Sequence, residues 1–188
     1  MYKSAINGNT VFCNRAWGSL KRPPVYGLKS KSRKEIHMLK EKEIQAINDL
    51  CTQEQCCIDK YNKYKNEAKD PVLKDLFTQI ASKEEEHLHS LNQVLAGKTP
   101  SCDCNDDSGK KYNPTATYDS LTNSEDKKSD NFLVTDCIGT EKMVSGEYNN
   151  NVFIFADAAI RKLLADIQIE EQNHAEMLYK YKTANGMA

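Results

Sequence analysis

Ile80-Ala81-Ser82-Lys83-Glu84-Glu85-Glu86-His87-Leu88-His89-Ser90-Leu91 is answered 87 residues later by Ile167-Gln168-Ile169-Glu170-Glu171-Gln172-Asn173-His174-Ala175-Glu176-Met177-Leu178. Ile, Glu, His and Leu stand at the same offsets in both stretches, separated by steps of four, three and four. Those steps place all four residues on one face of a helix. A face that carries Ile and Leu at both ends belongs in a core. Here its middle is filled by a carboxylate and an imidazole, in both copies.

Extending the comparison outward at the same offset of 87 keeps the match. Asp49, Glu54, Tyr61, Asn62, Asp70 and Leu76 also fall on identical residues: Asp136, Glu141, Tyr148, Asn149, Asp157 and Leu163. That makes ten identities in 43 ungapped positions, so the two halves read as copies of one unit. Each unit predicts a helical hairpin. The first helix covers about 39–67, and Asp70-Pro71 starts the second. Asp is a good N-cap there, and Pro suits the first helical position, where no N–H is needed. Gly97 is the expected stop. In the second unit, one helix is expected at about 131–154, and Asp157 caps another that ends near Asn185-Gly186.

All four helices have seams. The second reads Leu73, Phe77, Ile80, Glu84, His87, Leu91, Val94, and the fourth reads Ile160, Leu164, Ile167, Glu171, His174, Leu178, Tyr181. The first reads Ile44, Ile47, Cys51, Glu54, Ile58, Tyr61, and the third reads Val134, Ile138, Glu141, Ser145, Tyr148, Val152. These are the seams of antiparallel bundle helices. Residues 98–130 are rich in Ser, Thr, Asn, Asp and Lys, show no period and form a loop. At ~3.3 Å per residue the loop can run the length of a ~45 Å bundle. The fold expected is therefore all-α: a four-helix bundle of two hairpins joined by a long crossover, which leaves the second and third helices parallel.

Six seam positions are polar: Glu54, Glu84, His87, Glu141, Glu171 and His174. A carboxylate in a core needs a partner, because an unpaired one costs several kcal/mol. Glu54 lies 15 residues before the first turn and Glu84 lies 15 after it, so both sit about 22 Å from that turn at 1.5 Å per residue. Glu141 and Glu171 repeat this about the second turn, and each His follows its Glu by three residues on the same face. Four carboxylates and two imidazoles thus converge in one layer. Two divalent cations balance four carboxylates. Oxygen-rich ligation with one imidazole per metal suits iron or manganese, and Glu plus Glu-x-x-His, twice over, is a dimetal carboxylate arrangement. A polar network that fixes helix register without metal is the alternative. Glu86-x-x-His89 has the same spacing, but it is rotated about 200° from the seam and reads with Glu85 as a solvated face. Tyr61 and Tyr148 follow Glu54 and Glu141 by seven residues on the same face. A buried phenol needs a hydrogen-bond partner, and a carboxylate of the opposing hairpin is the natural one; ordinary core aromatics with a solvated hydroxyl are the alternative.

At these residues the chain resembles the ferritin-like superfamily over about 39–183, the crossover loop excepted. Glu54…Glu84-x-x-His87 and Glu141…Glu171-x-x-His174, with Tyr61 and Tyr148, look like the motifs of bacterioferritin and rubrerythrin. Gln53-Glu54-Gln55, Asn66-Glu67-Ala68-Lys69-Asp70-Pro71 and Leu73-Lys74-Asp75-Leu76 resemble ferritin-like spore coat proteins of clostridia and bacilli, including the coat-F type. The resemblance implies Glu54 and Glu141 as terminal ligands, Glu84 and Glu171 as bridges, and His87 and His174 as nitrogen ligands of two Fe or Mn ions. It implies reaction with a small oxidant, peroxide or oxygen, as a peroxidase, ferroxidase or catalase, with an external electron donor. It equally implies a structural coat protein with a stabilising dimetal site, assembling as a homo-oligomer or within a spore coat. The chain departs from rubrerythrin in two places. Val144 stands where rubrerythrin has a further glutamate, and Cys102-x-Cys104 is no substitute for the paired Cys-x-x-Cys of a rubredoxin module.

Composition sets the remaining bounds. Of 188 residues, 39% are hydrophobic and 28% charged, which excludes collagen and global disorder. No apolar run is long enough to span a membrane. The net charge of −1 conceals a split. Residues 1–37 hold eight basic residues against one acidic, and residues 38–188 hold 18 against 26. Two divalent cations would bring the net −8 of the second part to −4, which gives no support for nucleic-acid binding by the folded part. Residues 1–37 lack a helical or strand period and read as a disordered extension, with Met38 as the natural start. A transit peptide or a nucleic-acid tail are the alternatives for this segment. Seven cysteines, an odd number with no secretory signal, suggest a reducing cytosol. Cys51 and Cys137 read as small core residues. Cys102 and Cys104 could bind metal or cross-link chains, although a zinc site needs about four ligands.

Overall fold

Apolar steps of three and four residues drive the chain into long helices, and the computed structural model describes residues 38–188 of them. The basic segment 1–37 lies outside the described residues. Helix α1 spans Glu41–Glu67, α2 Pro71–Leu95, a single turn α3 Ser108–Lys111, α4 Glu125–Asn151 and α5 Ala158–Ala184. A 3₁₀ turn, Val152–Ile154, extends α4. The helix stops and starts follow the sequence signals. Asp70 Oδ1 accepts from Val72 N at 2.9 Å, and Asp157 Oδ1 accepts from Ala159 N at 2.6 Å. Gly97 and Gly186 take φ of +76° and +60°, where a side chain would be strained.

α4 begins six residues before the expected 131, so the crossover ends at 124 rather than 130. Ser124 caps α4 by accepting from Lys127 N at 3.2 Å, and Glu125 and Asp126 complement the helix dipole in its first turn. The first six residues of this helix have no apolar seam because their buried positions are Lys127 and Asp130. Lys127 Nζ donates to the carbonyls of Asp119 and Thr122 at 2.9 and 3.0 Å, tying the end of the crossover to the helix. In α1, the expected seam residue Ile44 is 41% exposed, and Ala46, Leu50 and Cys57 are buried instead. The α2 and α5 seams are buried throughout, as their spacing requires.

α1 pairs with α2, and α4 with α5. Between the hairpins, a reciprocal pair of buried carboxylates spans the repeat. Asp130 on α4 accepts from the backbone N–H groups of Lys69 and Asp70 in the α1–α2 turn, at 2.8 and 2.9 Å. Glu43 on α1 accepts from Ala156 N in the α4–α5 turn at 3.0 Å. Residues 43 and 130 are themselves 87 apart. The crossover runs along α5 from start to end. Lys162 Nζ donates to Cys102 O at 2.9 Å, Asn173 Nδ2 to Asp106 Oδ2 at 2.7 Å, and Lys180 Nζ to Gly109 O at 2.6 Å. Near its far end, Thr117 N donates to Asn185 Oδ1 at 2.8 Å. Gly109 lies so close to α5 that a Cβ there would meet Glu176 and Asn173 at 2.7 and 2.8 Å. This route returns the chain to the end where α2 began, so α2 and α4 are parallel, as the loop length predicted.

Candidate dimetal centre

Two apolar layers line the bundle, and the polar cluster lies between them. One layer is built on Ile47, Leu50, Leu91, Val94, Leu164 and Ile167. The other is built on Leu73, Phe77, Ile80, Val134, Leu178 and Tyr181. The structure brings together all six polar seam residues. Glu54, Glu84 and Glu171 are fully buried, and Glu141, His87 and His174 are within a few per cent of it.

The distances sort the glutamates into two kinds. His87 Nδ1 lies 3.1 Å from Glu84 Oε2, 3.1 Å from Glu171 Oε1 and 3.7 Å from Glu54 Oε2. His174 Nδ1 lies 3.1 Å from Glu84 Oε1, 3.5 Å from Glu141 Oε2 and 3.7 Å from Glu171 Oε2. Glu84 and Glu171 thus stand between the two imidazoles, while Glu54 and Glu141 flank one each. The rings stack at a centroid distance of 5.8 Å. Two overlapping groups result, Glu54, Glu84, His87, Glu171 and Glu84, Glu141, Glu171, His174. In each, the donor atoms lie within 4.8 Å of one another, a set that could hold one metal ion apiece.

The tyrosines fall where the seam placed them. Tyr61 on α1 donates to Glu141 Oε1 on α4, and Tyr148 on α4 donates to Glu54 Oε1 on α1. Each outer glutamate is therefore held through one oxygen, and its other oxygen turns inward. Among the described residues, Glu54 Oε2, Glu84 Oε1, Glu141 Oε2, both Glu171 oxygens and His174 Nδ1 are buried with no aligned hydrogen bond. Close approach without hydrogen-bond geometry is what carboxylates and imidazoles adopt when they are aimed at a shared centre.

Electrostatics splits the cluster. Burial pushes Glu54 up to about 8. Burial, then the charges of Glu171 and Glu84, raise Glu141 well above the carboxylate range. Burial also opposes ionisation of Glu84 and Glu171, but the imidazoles outweigh it and hold both below the usual range. For His87 and His174 burial disfavours the charged form, and the surrounding carboxylates reverse this and raise both. Without metal, the cluster thus favours the protonated forms of Glu54, Glu141, His87 and His174 and the ionised forms of Glu84 and Glu171.

Three features escape the seam reading. Glu170 Oε2 lies 2.7 Å from His87 Nε2, outside the cluster proper. Its place, one residue before Glu171, is off the seam, and its repeat mate is Lys83. Cys57, three residues after Glu54, is buried beside the four glutamates, and burial with their charge raises its thiol. Its repeat mate is Val144, which marks the position as inward-facing. Asp166 joins Cys102 and Cys104 in a partly buried group. Burial and the Asp166 charge push the Cys102 thiol up to about 11. Cys137 is buried as expected, whereas Cys51 is only half-buried. Glu85, Glu86 and His89 face solvent, as their rotation from the seam predicted.

Residues 129–188 match the Coat F domain family. A crystal structure of a two-domain protein from Anabaena variabilis, with DJ-1/ThiJ/PfpI-like and ferritin-like domains, is similar at a TM-score of 0.57 and 17% identity. The similarity covers 78% of this chain and 37% of that one, so the chain spans little more than a third of that protein's length. Comparison with curated protein sequences gives no match. The fold is ferritin-like. No described helix is long and apolar enough to cross a membrane.

Proposed function

We propose that this ferritin-like bundle is a dimetal carboxylate protein that binds two iron or manganese ions and reacts with peroxide or oxygen. The observation that carries this reading is the set of buried cluster atoms left without aligned partners: five carboxylate oxygens and one imidazole nitrogen. A self-sufficient polar network would have paired them. Oxygen donors in excess of nitrogen, with no sulfur ligand in either group, suit iron or manganese.

In this reading Glu84 and Glu171, common to both groups, would hold both ions, Glu54 and Glu141 would hold one each, and His87 and His174 would supply one nitrogen to each. Two reduced ions, when bound, supply one electron each to a two-electron oxidant. The chain's own residues prepare the place. Tyr148 and Tyr61 fix the outer glutamates through Oε1 and leave Oε2 free to ligate. The apolar layers exclude bulk water. The protons held by Glu54, Glu141, His87 and His174 leave as the ions enter, since ligands must be deprotonated. With no Cys-x-x-Cys pairs in the chain, the electrons for turnover come from an external donor.

The Coat F match favours a second reading, a coat component whose metal site contributes folding energy and whose location is the spore coat. One preparation separates the two. The full chain loaded anaerobically with Fe²⁺ or Mn²⁺ is expected to hold two ions by elemental analysis and to consume repeated additions of H₂O₂ with a reductant present. Two ions without turnover favour the coat role. Glu84→Ala and Glu171→Ala are each expected to lose stoichiometric two-ion binding. If either still binds two, the ligand assignment is wrong.

A further inference from the structure

The two halves of the cluster are not equivalent at their outer edge. His87 Nε2 pairs with Glu170 Oε2 at 2.7 Å. The repeat places residue 83 where it would serve His174 in the same way, and residue 83 is a lysine. An ammonium has no acceptor for an imidazole N–H. Among the described residues no side chain hydrogen-bonds His174 Nε2. Lys83 Nζ instead lies 2.7 Å from Glu86 Oε2 and 3.7 Å from Glu170 Oε1.

The His174 half is reached from outside. A cavity of about 160 Å³ lined by Gln79, Ile80, Lys83, Ser108, His174 and Met177 reaches His174 from the surface. A second, also about 160 Å³, reaches Glu141 and Glu171 beside Lys142 and Ser145. Each has room for a few water molecules, at about 30 Å³ apiece, and so for a diatomic or peroxide-sized molecule. Ser108 comes from the crossover, so this wall of the cavity is specific to one half of the repeat.

A carboxylate behind a ligating imidazole fixes ring orientation and raises its basicity, and loss of such a partner typically costs 10–100-fold in metal affinity. Resting on the dimetal reading above, we propose that the metal positions are unequal. The position at His87, backed by Glu170, is the closed and tight one. The position at His174, with no carboxylate behind its ring and the cavity at its edge, is the open one, where metal exchanges and small molecules bind. Glu170 is a positioning residue, acting through His87.

Removal of Co²⁺ from the loaded full chain by excess EDTA, followed by visible absorption, tests this. Two phases of equal amplitude are expected. Glu170→Gln keeps the shape but loses the negative charge, and it should accelerate the slow phase about 10–100-fold while leaving the fast phase unchanged. Gln79→Trp, at an exposed position on the cavity rim, should slow the fast phase alone. A single phase, a slow phase untouched by Glu170→Gln, or a fast phase untouched by Gln79→Trp overturns the proposal. Fewer than two Co²⁺ bound per wild-type chain overturns the dimetal reading, and this proposal with it. Two Co²⁺ bound but released identically overturns this proposal alone.

Discussion

A single hydroxyl decides which way each outer glutamate faces. Tyr148 reaches from α4 to Glu54 Oε1 on α1, and both groups are inaccessible to water. Removing the hydroxyl leaves a buried oxygen with no donor, a loss of about 1–3 kcal/mol when nothing replaces it. Tyr148→Phe is therefore expected to lower stability by that amount in urea unfolding without metal, and Tyr61→Phe to do the same through Glu141. Unchanged midpoints would mean that the glutamates keep their orientation without the phenols.

At the level of the element, each turn is completed from outside its own hairpin. Asp130 takes two backbone N–H groups of the α1–α2 turn and the Tyr118 hydroxyl, the last at 2.7 Å. Asp130→Ala strands all three donors and is expected to cost about 2–4 kcal/mol, read as a drop in thermal midpoint. Asp130→Asn keeps one acceptor and should recover part of it. The elements themselves were legible where apolar steps were regular. The α2 and α5 seams came out of the sequence residue for residue, and Glu54, Tyr61, Glu141 and Tyr148 on α1 and α4 lie buried at their expected seam positions. The start of α4 was not legible, because a buried lysine and aspartate there look like loop residues until their carbonyl and N–H partners are known. Glu170 and Asp166 were hidden for a related reason. Each lies off the seam, and its partner comes from a different helix or from the crossover, which no spacing along α5 encodes.

For the whole molecule, the buried charges set opposite pH dependences with and without metal. The folded state raises the imidazoles of His87 and His174 and the carboxyls of Glu54 and Glu141. A group that holds its proton more tightly when folded stabilises the fold at low pH and loses that contribution as pH rises. For the imidazoles, the loss starts above the ordinary value near 6.5. Glu84 and Glu171 are lowered, so their contribution is lost in acid, as pH falls below the ordinary carboxylate range near 4.3. The metal-free protein is thus expected to be most stable near pH 4.5, to weaken above it as Glu54 and Glu141 lose their contribution, and to weaken more steeply above about pH 6.5, where the imidazoles join them. Stabilisation by Mn²⁺ should grow over the same interval, because each ion displaces protons. Thermal melts at fixed ionic strength across this range, with and without metal, check both slopes. Parallel curves would mean that the cluster does not exchange protons for metal.

The reciprocal carboxylates, Glu43 reaching one turn and Asp130 the other, carry a historical consequence. A single hairpin of this kind lacks the group that closes its own turn, and what it lacks is a copy of itself. A gene half this length would have made a protein able to complete its turns only by pairing with a twin about a twofold axis. A crossover that joins two such halves makes the pairing permanent and frees them from the obligation to stay identical. Lysine at 83 opposite glutamate at 170 is a divergence that a symmetric pair could never have kept.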